Sequence, residues 1–330
     1  MCNIRLFLRY NSDDNEILNM TSVKLLALLI ATFFWFNSAV AQTQTAQDLY
    51  KAAQIALKEK KYFLALDQLK KARELKANFV ETYFLEGVIE HKLANTNASV
   101  KAFTSAIGYK PDYLEAYYNR ALLYMGMERT EDAIEDLNKI VALKNGIPDV
   151  YFQRGKCYFN TNQLDKAKAD FALSTKININ QPEAFYLMAF IEQKQNKIAE
   201  AYPHLAKAIA LNLKYESAYQ LRANLLNKEG KYSEALEDWN KCVQMNPYNW
   251  EALTQRAIAN FHLKNHSQAL KDFNMVVEKQ GENALARYWR GMTHLANNDK
   301  KLACTDLADA GSLGSMEAKD AIEKYCKDEK

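Results

Sequence analysis

The sequence predicts an all-α protein, an α-solenoid of eight helix-turn-helix repeats followed by a C-terminal capping helix, and three observations carry that prediction. The first is a fixed interval of 34 residues, at which small residues recur as Ala53, Gly87, Ala121, Gly155, Ala189, Ala223, Ala257 and Gly291. The second is a pair of columns that keeps the same interval: small Ala65, Ser99, Ala133, Ala167, Ala201, Ala235, Ala269 and Ala303, then large apolar Leu69, Phe103, Leu137, Phe171, Leu205, Trp239, Phe273 and Leu307. The third is that eight such repeats fit from Ala46 to Glu317 without an insertion or deletion, which is the sequence signature of a repeat array.

Counting each repeat as Glu216 begins the sixth, the small residues fall at positions 8 and 20 and the bulky one at 24. Positions 8 and 20 lie in separate runs of helical apolar periodicity, so each repeat is two helices. The turn between them is expected around positions 14 to 17, with Gly230 inside it in the sixth repeat and Asn97, Asp165, Ser233 and Ser267 as N-caps of second helices. Small side chains at 8 and 20 let the two backbones approach, and the large side chain at 24 fills the space beside them. One helical hairpin covers too little apolar surface to offset the ordering of its chain, roughly 1.5 kcal/mol per residue. Stacking closes the core.

With this pattern the repeats resemble tetratricopeptide repeats. The period and the small pair at 8 and 20 run throughout, that family's aromatic at position 4 is present as Tyr83, Tyr117, Tyr151, Phe185 and Tyr219, and its proline at 32 as Pro111 and Pro247. Leu49, Leu253 and Arg287 depart at position 4, and Pro203 falls inside the fifth repeat's second helix, where a frayed start is expected. The resemblance implies a right-handed superhelix whose first helices line a concave groove that grips a protein or peptide.

The chain's 330 residues are 48% hydrophobic and 25% charged, the composition of a soluble protein with a core. Its 43 basic against 40 acidic residues give no nucleic-acid footprint. At the amino end, Leu25 to Phe36 is a twelve-residue apolar run followed by Ala39-Val40-Ala41. That is a signal peptide with cleavage expected after Ala41, and its run is short for a membrane span of about 20 residues. Met20 begins a short positive stretch up to Lys24, so residues 20–41 are read as the signal and 1–19 as an extension from a misassigned start. The mature chain is then expected to be periplasmic or secreted, with no integral span after processing. The repeats occupy 46–317, and residues 318–330 supply the cap, with Ala318, Ala321, Ile322 and Tyr325 on one face.

In the family it resembles, positions 2, 5, 6, 9, 12 and 13 line the groove. Here they place Phe84, Val88, Tyr118, Leu122, Phe152, Phe159, Tyr186 and Phe190 on one apolar stretch and Ile258, Phe261, Tyr288 and Met292 on another, with Gln220, Asn224, Asn227 and Lys228 interrupting them. Contiguous apolar surface of this kind marks a site for a protein or peptide ligand, or for a second copy of the chain. The carboxylate clamp by which one subclass holds chaperone tails is not expected, because Asn119 at position 6 is preceded by Phe84 and Val88 and followed by Asp149 and Gln153.

No catalytic motif, cofactor site or metal site is expected. His262 and His266 are four apart but straddle the turn between helices, with no carboxylate to complete a metal site. A non-enzymatic scaffold is favoured over a cysteine-rich Sel1-like repeat enzyme linked to β-lactam hydrolysis, since such enzymes carry a cysteine pair in nearly every repeat and a longer period. One cysteine pair is expected here. Cys304 lies on the eighth repeat's second helix and Cys326 on the neighbouring cap, within disulfide reach, whereas Cys157 and Cys242 are layers apart and read as buried small hydrophobes.

Overall fold

The computed structural model describes residues 44–326, so the signal peptide, its cleavage point and the 1–19 extension lie outside the described residues. Two compact units are present, one ending at Tyr113 and one beginning at Leu114. The first holds α1 (Ala46–Lys58), α2 (Tyr62–Leu75), α3 (Val80–Lys92) and α4 (Thr96–Tyr109). The second holds α5 (Leu114–Gly126), α6 (Thr130–Leu143), α7 (Pro148–Asn160), α8 (Leu164–Ile177), α9 (Pro182–Lys194), α10 (Ile198–Leu211), α11 (Glu216–Lys228), α12 (Tyr232–Met245), α13 (Trp250–His262), α14 (His266–Lys279), α15 (Ala284–Ala296), α16 (Lys300–Ser312) and α17 (Met316–Tyr325). Every first helix of a repeat therefore covers positions 1 to 13 and every second helix begins at 17. No helix among the described residues is long and apolar enough to cross a membrane.

The register is enforced at the turn. In all eight repeats the residue at position 15 has positive φ, and the N–H at 16 donates to the carbonyl at 11 over 2.7–2.9 Å. This is the left-handed stop that satisfies a helix's last carbonyls. Only Gly230 supplies the residue that adopts it freely; Lys60, Ala94, Glu128, Asn162, Asn196, Lys264 and Asn298 take it with a side chain attached. The stop puts the N-cap at 16, which corrects the expected caps: Asn97, Asp165, Ser233 and Ser267 lie inside the first turns of their helices, one residue past the start. Of the residues at 16, Asp299 caps with its side chain, accepting from the Leu302 N–H. Among first helices, Thr45 forms a capping box with Asp48, Asn249 and Asn283 cap α13 and α15, and Pro148 and Pro182 begin α7 and α9 where no N–H is needed.

The small and large columns meet as expected. A Cβ added to Gly155 would lie 2.7 Å from the Phe171 ring, one on Gly87 2.7 Å from Phe103, and one on Gly291 3.0 Å from Leu307. The column at 24 supplies the largest fully buried side chains, with Leu69, Phe171, Leu205, Trp239, Phe273 and Leu307 all fully enclosed. Where serine replaces alanine at 20, the Ser99 hydroxyl donates to the Gly87 carbonyl at 2.7 Å, so the buried polar atom is satisfied.

A second set of columns, not anticipated from the sequence, ties the helix pairs together. Arginine at 7 and aspartate at 23 form a two-pronged ion pair in five repeats: Arg120–Asp136, Arg154–Asp170, Arg222–Asp238, Arg256–Asp272 and Arg290–Asp306, each with a contact of 2.5–2.8 Å. The five aspartates are 0–4% exposed. Three of the arginines reach back to an asparagine at 25 in the preceding repeat, Arg154 to Asn138, Arg256 to Asn240 and Arg290 to Asn274. Hydrogen bonds donated to Asp170 and Asp238 raise the pKa of Arg154 and Arg222 against the pull of burial. The fifth repeat has Met188 and His204 at these positions. There the fully buried Glu192 turns in from position 11, with His204 Nδ1 at 2.8 Å and Lys168 Nζ at 2.7 Å.

Helix α10 is continuous and starts at the same position as its counterparts, so Pro203 neither breaks nor frays it. Proline is the sixth helical residue and leaves only the Ala199 carbonyl without its usual N–H donor. At the carboxyl end Gly314, at φ +99°, repeats the left-handed stop and starts the cap at Met316, two residues earlier than the periodicity placed it. Ala318 and Ala321 of the cap are buried against Leu307 and Ala310, while Tyr325 is 36% exposed and does not join them. Cys304 and Cys326 form a disulfide with Cα atoms 5.8 Å apart, and Cys157 and Cys242 are free and buried.

Candidate functional site

The anticipated groove residues divide between the two compact units. In the first, Phe84 is half-buried against Phe103 and Tyr113, at 5.5 and 5.0 Å between ring centres, and Val88 is half-buried on the same helix. In the second, α5, α7 and α9 supply Tyr118, Leu122, Phe152, Phe159, Tyr186 and Phe190 from positions 5, 9 and 12. Phe159 meets Phe190 edge-on at 5.8 Å, Phe190 lies 6.2 Å from Tyr186, and Tyr186 lies 5.3 Å from Tyr215. These half-exposed rings form one continuous aromatic run. Leu122 is 38% exposed, and Phe152 leans on the buried Phe171.

The later stretch is less open than expected. Ile258 is 9% exposed and belongs to the core with Leu253, Ala257 and Phe273, so position 9 offers no apolar surface there. Tyr288 and Met292 are partly covered by packing on the cluster that includes the capping helix. Phe261 meets Trp289 edge-on at 5.1 Å. Trp289, at position 6, escaped the sequence reading because that column is otherwise mostly aliphatic or amide. Its neighbour His262 stacks on Tyr232 at 4.1 Å, and His266 lies against Phe261, so both histidines serve an aromatic cluster. Burial lowers the pKa of His262 and keeps its ring neutral.

Position 34 is the second column the sequence reading missed. Its side chain packs at a tilt against the ring at position 5 of the same repeat: Phe79 on Tyr50 at 5.2 Å, Tyr113 on Phe84 at 5.0 Å, Tyr215 on Tyr186 at 5.3 Å. The third repeat has Ile147 there, and a cavity of about 240 Å³ opens beside Tyr118, lined also by Leu114, Glu115, Asn119, Ile140, Lys144, Asp149 and Val150. Burial, and then the Asp149 carboxylate, raise the pKa of the Tyr118 phenol. The Asn119 amide donates to the Glu115 carbonyl at 2.7 Å. Burial alone raises Tyr186, and burial followed by Glu183 raises Tyr215 further. All three phenols stay neutral and able to donate to a ligand.

Among the described residues no group of three or more His, Cys, Asp or Glu could hold a metal ion. Burial pushes the free thiols up, Cys157 to about 11 and Cys242 to about 12, so neither offers a thiolate nucleophile at neutral pH.

Tetratricopeptide-repeat family models match residues 114–146, 148–178 and 221–282. Comparison with curated proteins returns no match. Among solved structures, the C-terminal part of a repeat protein from Cytophaga hutchinsonii is similar at 15% identity and a TM-score of 0.61, covering 72% of this chain and 99% of that one. PilF of Pseudomonas aeruginosa is similar at 17% identity and a TM-score of 0.54, over 64% and 97% of the two chains. YrrB, described as a repeat protein with an unusual peptide-binding site, is similar at 23% identity and a TM-score of 0.51, over 57% and 96%. These likenesses establish the fold.

Proposed function

Because the chain is a tetratricopeptide-repeat protein, we propose that it is a non-catalytic scaffold that binds a protein or peptide in the groove face of its second compact unit, in the bacterial cell envelope after export. The observation that carries the binding reading is the run Phe159–Phe190–Tyr186–Tyr215, with Tyr118 and Leu122 further along the same face. Half-exposed aromatic side chains present large apolar area with few rotatable bonds, which is the make-up of an interface anchor. Export is supported by the apolar run with Ala39-Val40-Ala41 and by the disulfide, a bond that persists in oxidising compartments.

The test is capture of partners from native envelope extract by wild-type chain and by a Tyr118→Ala/Tyr186→Ala/Phe190→Ala variant, with self-association followed by sedimentation. Each single truncation is expected to weaken capture by about 1–2 kcal/mol, and the triple change to abolish it with the helical signal unchanged. Undiminished capture by the triple variant would remove this face as the site.

A further inference from the structure

We propose that the cavity beside Tyr118 seats a lysine or arginine side chain of the bound segment, an inference that rests on the groove reading above. The third and fourth repeats show why. In the fourth, Lys156 at position 9 lies 5.4 Å over the ring of Phe152 at position 5, and its ammonium is 3.5 Å from Glu183, the position-2 carboxylate of the next repeat. The chain itself thus places a cation between a position-5 ring and the carboxylate that follows. The third repeat keeps the ring as Tyr118, the following carboxylate as Asp149 and its own position-2 carboxylate as Glu115, matching Phe152, Glu183 and Asp149 in the fourth, but has Leu122 where the fourth has Lys156.

The cavity is shaped for such a side chain. Ile140 and Val150 are buried and form its floor, while Glu115 and Asp149 are exposed and form its rim. Neither carboxylate makes an ion pair among the described residues, and Lys144, the one cation on the lining, leaves the rim net negative. Lysine and arginine carry an apolar stem under a charged head, so the stem covers the aliphatic floor while the head meets the carboxylates and the tyrosine face. An acidic side chain would be repelled, and a neutral apolar one would desolvate the carboxylates without replacing their water.

The test is methyl-resolved NMR of the full chain titrated with acetyl-Ala-Leu-Lys-Leu-Ala-amide and with the same peptide carrying norleucine for lysine. At low salt the lysine peptide is expected to shift the Ile147 and Val150 methyls with at least tenfold higher affinity than its neutral twin. The preference should collapse towards one in Asp149→Asn. It should also collapse in Leu122→Lys, which supplies the cation from within the chain as Lys156 does next door. Equal affinity of the two peptides at those methyls would overturn the cationic seat and leave the groove reading standing. A lysine preference that survives both substitutions would place the seat elsewhere and also overturn the proposal. If no groove methyl responds to either peptide, both readings fall.

Discussion

Replacing Arg256 by alanine is expected to destabilise the helices around it by about 3–5 kcal/mol, the cost of leaving a buried carboxylate unpaired. Asp272 is fully enclosed, and its two oxygens accept from Arg256 Nε and Nη2 at 2.7 and 2.8 Å, while Nη1 donates to Asn240 of the preceding repeat at 3.2 Å. Removing both partners, Arg256→Ala with Asp272→Ala, should recover much of the loss, because the penalty lies in the stranded charge more than in the missing bond. Hydrogen exchange along α13 and α14 reads the effect locally, which suits a repeat array whose unfolding need not be two-state. The exposed pair Lys71–Asp67 is the contrast: with both side chains about half exposed, its removal should cost under about 1 kcal/mol. A loss of that size at Arg256 would contradict the role assigned to the buried pairs.

Removing the disulfide is the second large effect. Cys304→Ala with Cys326→Ala reopens a loop with a sequence separation of 22 and should cost about 3 kcal/mol on the chain-entropy account. The loss should concentrate in α17, whose ten residues bury little beyond Ala318 and Ala321. Loosening of that helix would uncover Leu307 and Ala310, which it now covers. Alkylation of unreduced, denatured native protein followed by peptide mapping checks the bond and the export reading together. The expected map has Cys157 and Cys242 labelled, Cys304 and Cys326 protected, and a first peptide that begins at Gln42. Label on all four cysteines would remove the staple; recovery of intact Leu25 to Phe36 would remove the cleaved signal.

The parts of the fold that were legible in the sequence are those set by volume at a fixed period. Gly155 with Phe171, and Ala223 with Trp239, are visible as columns because any larger residue at position 8 would collide with position 24. Helix starts were less legible, since the left-handed stop at position 15 is made by lysine, alanine, glutamate and asparagine as well as glycine, and its hydrogen bond joins backbone atoms. The polar columns were present all along as arginine followed sixteen residues later by aspartate, in five repeats of eight. Read one charge at a time they look like solvated helix faces, and only the shared spacing reveals buried pairs. The groove was half legible. Position 5 could be named, but its partner at 34 lies across the next turn, so the packing of Tyr215 against Tyr186, and the cavity that Ile147 leaves beside Tyr118, follow from contacts that no single helix displays.

The proposed partner site is the aromatic face of the second compact unit. Its most direct test is photo-crosslinking in native cells, with benzoylphenylalanine placed in turn at Tyr118, Phe152 and Tyr186 and, as the contrasting surface, at Leu173 on α8, which is 42% exposed. Crosslinked species should form from the three groove positions and not from Leu173. Crosslinking from Leu173 alone, with the groove positions silent, would contradict it.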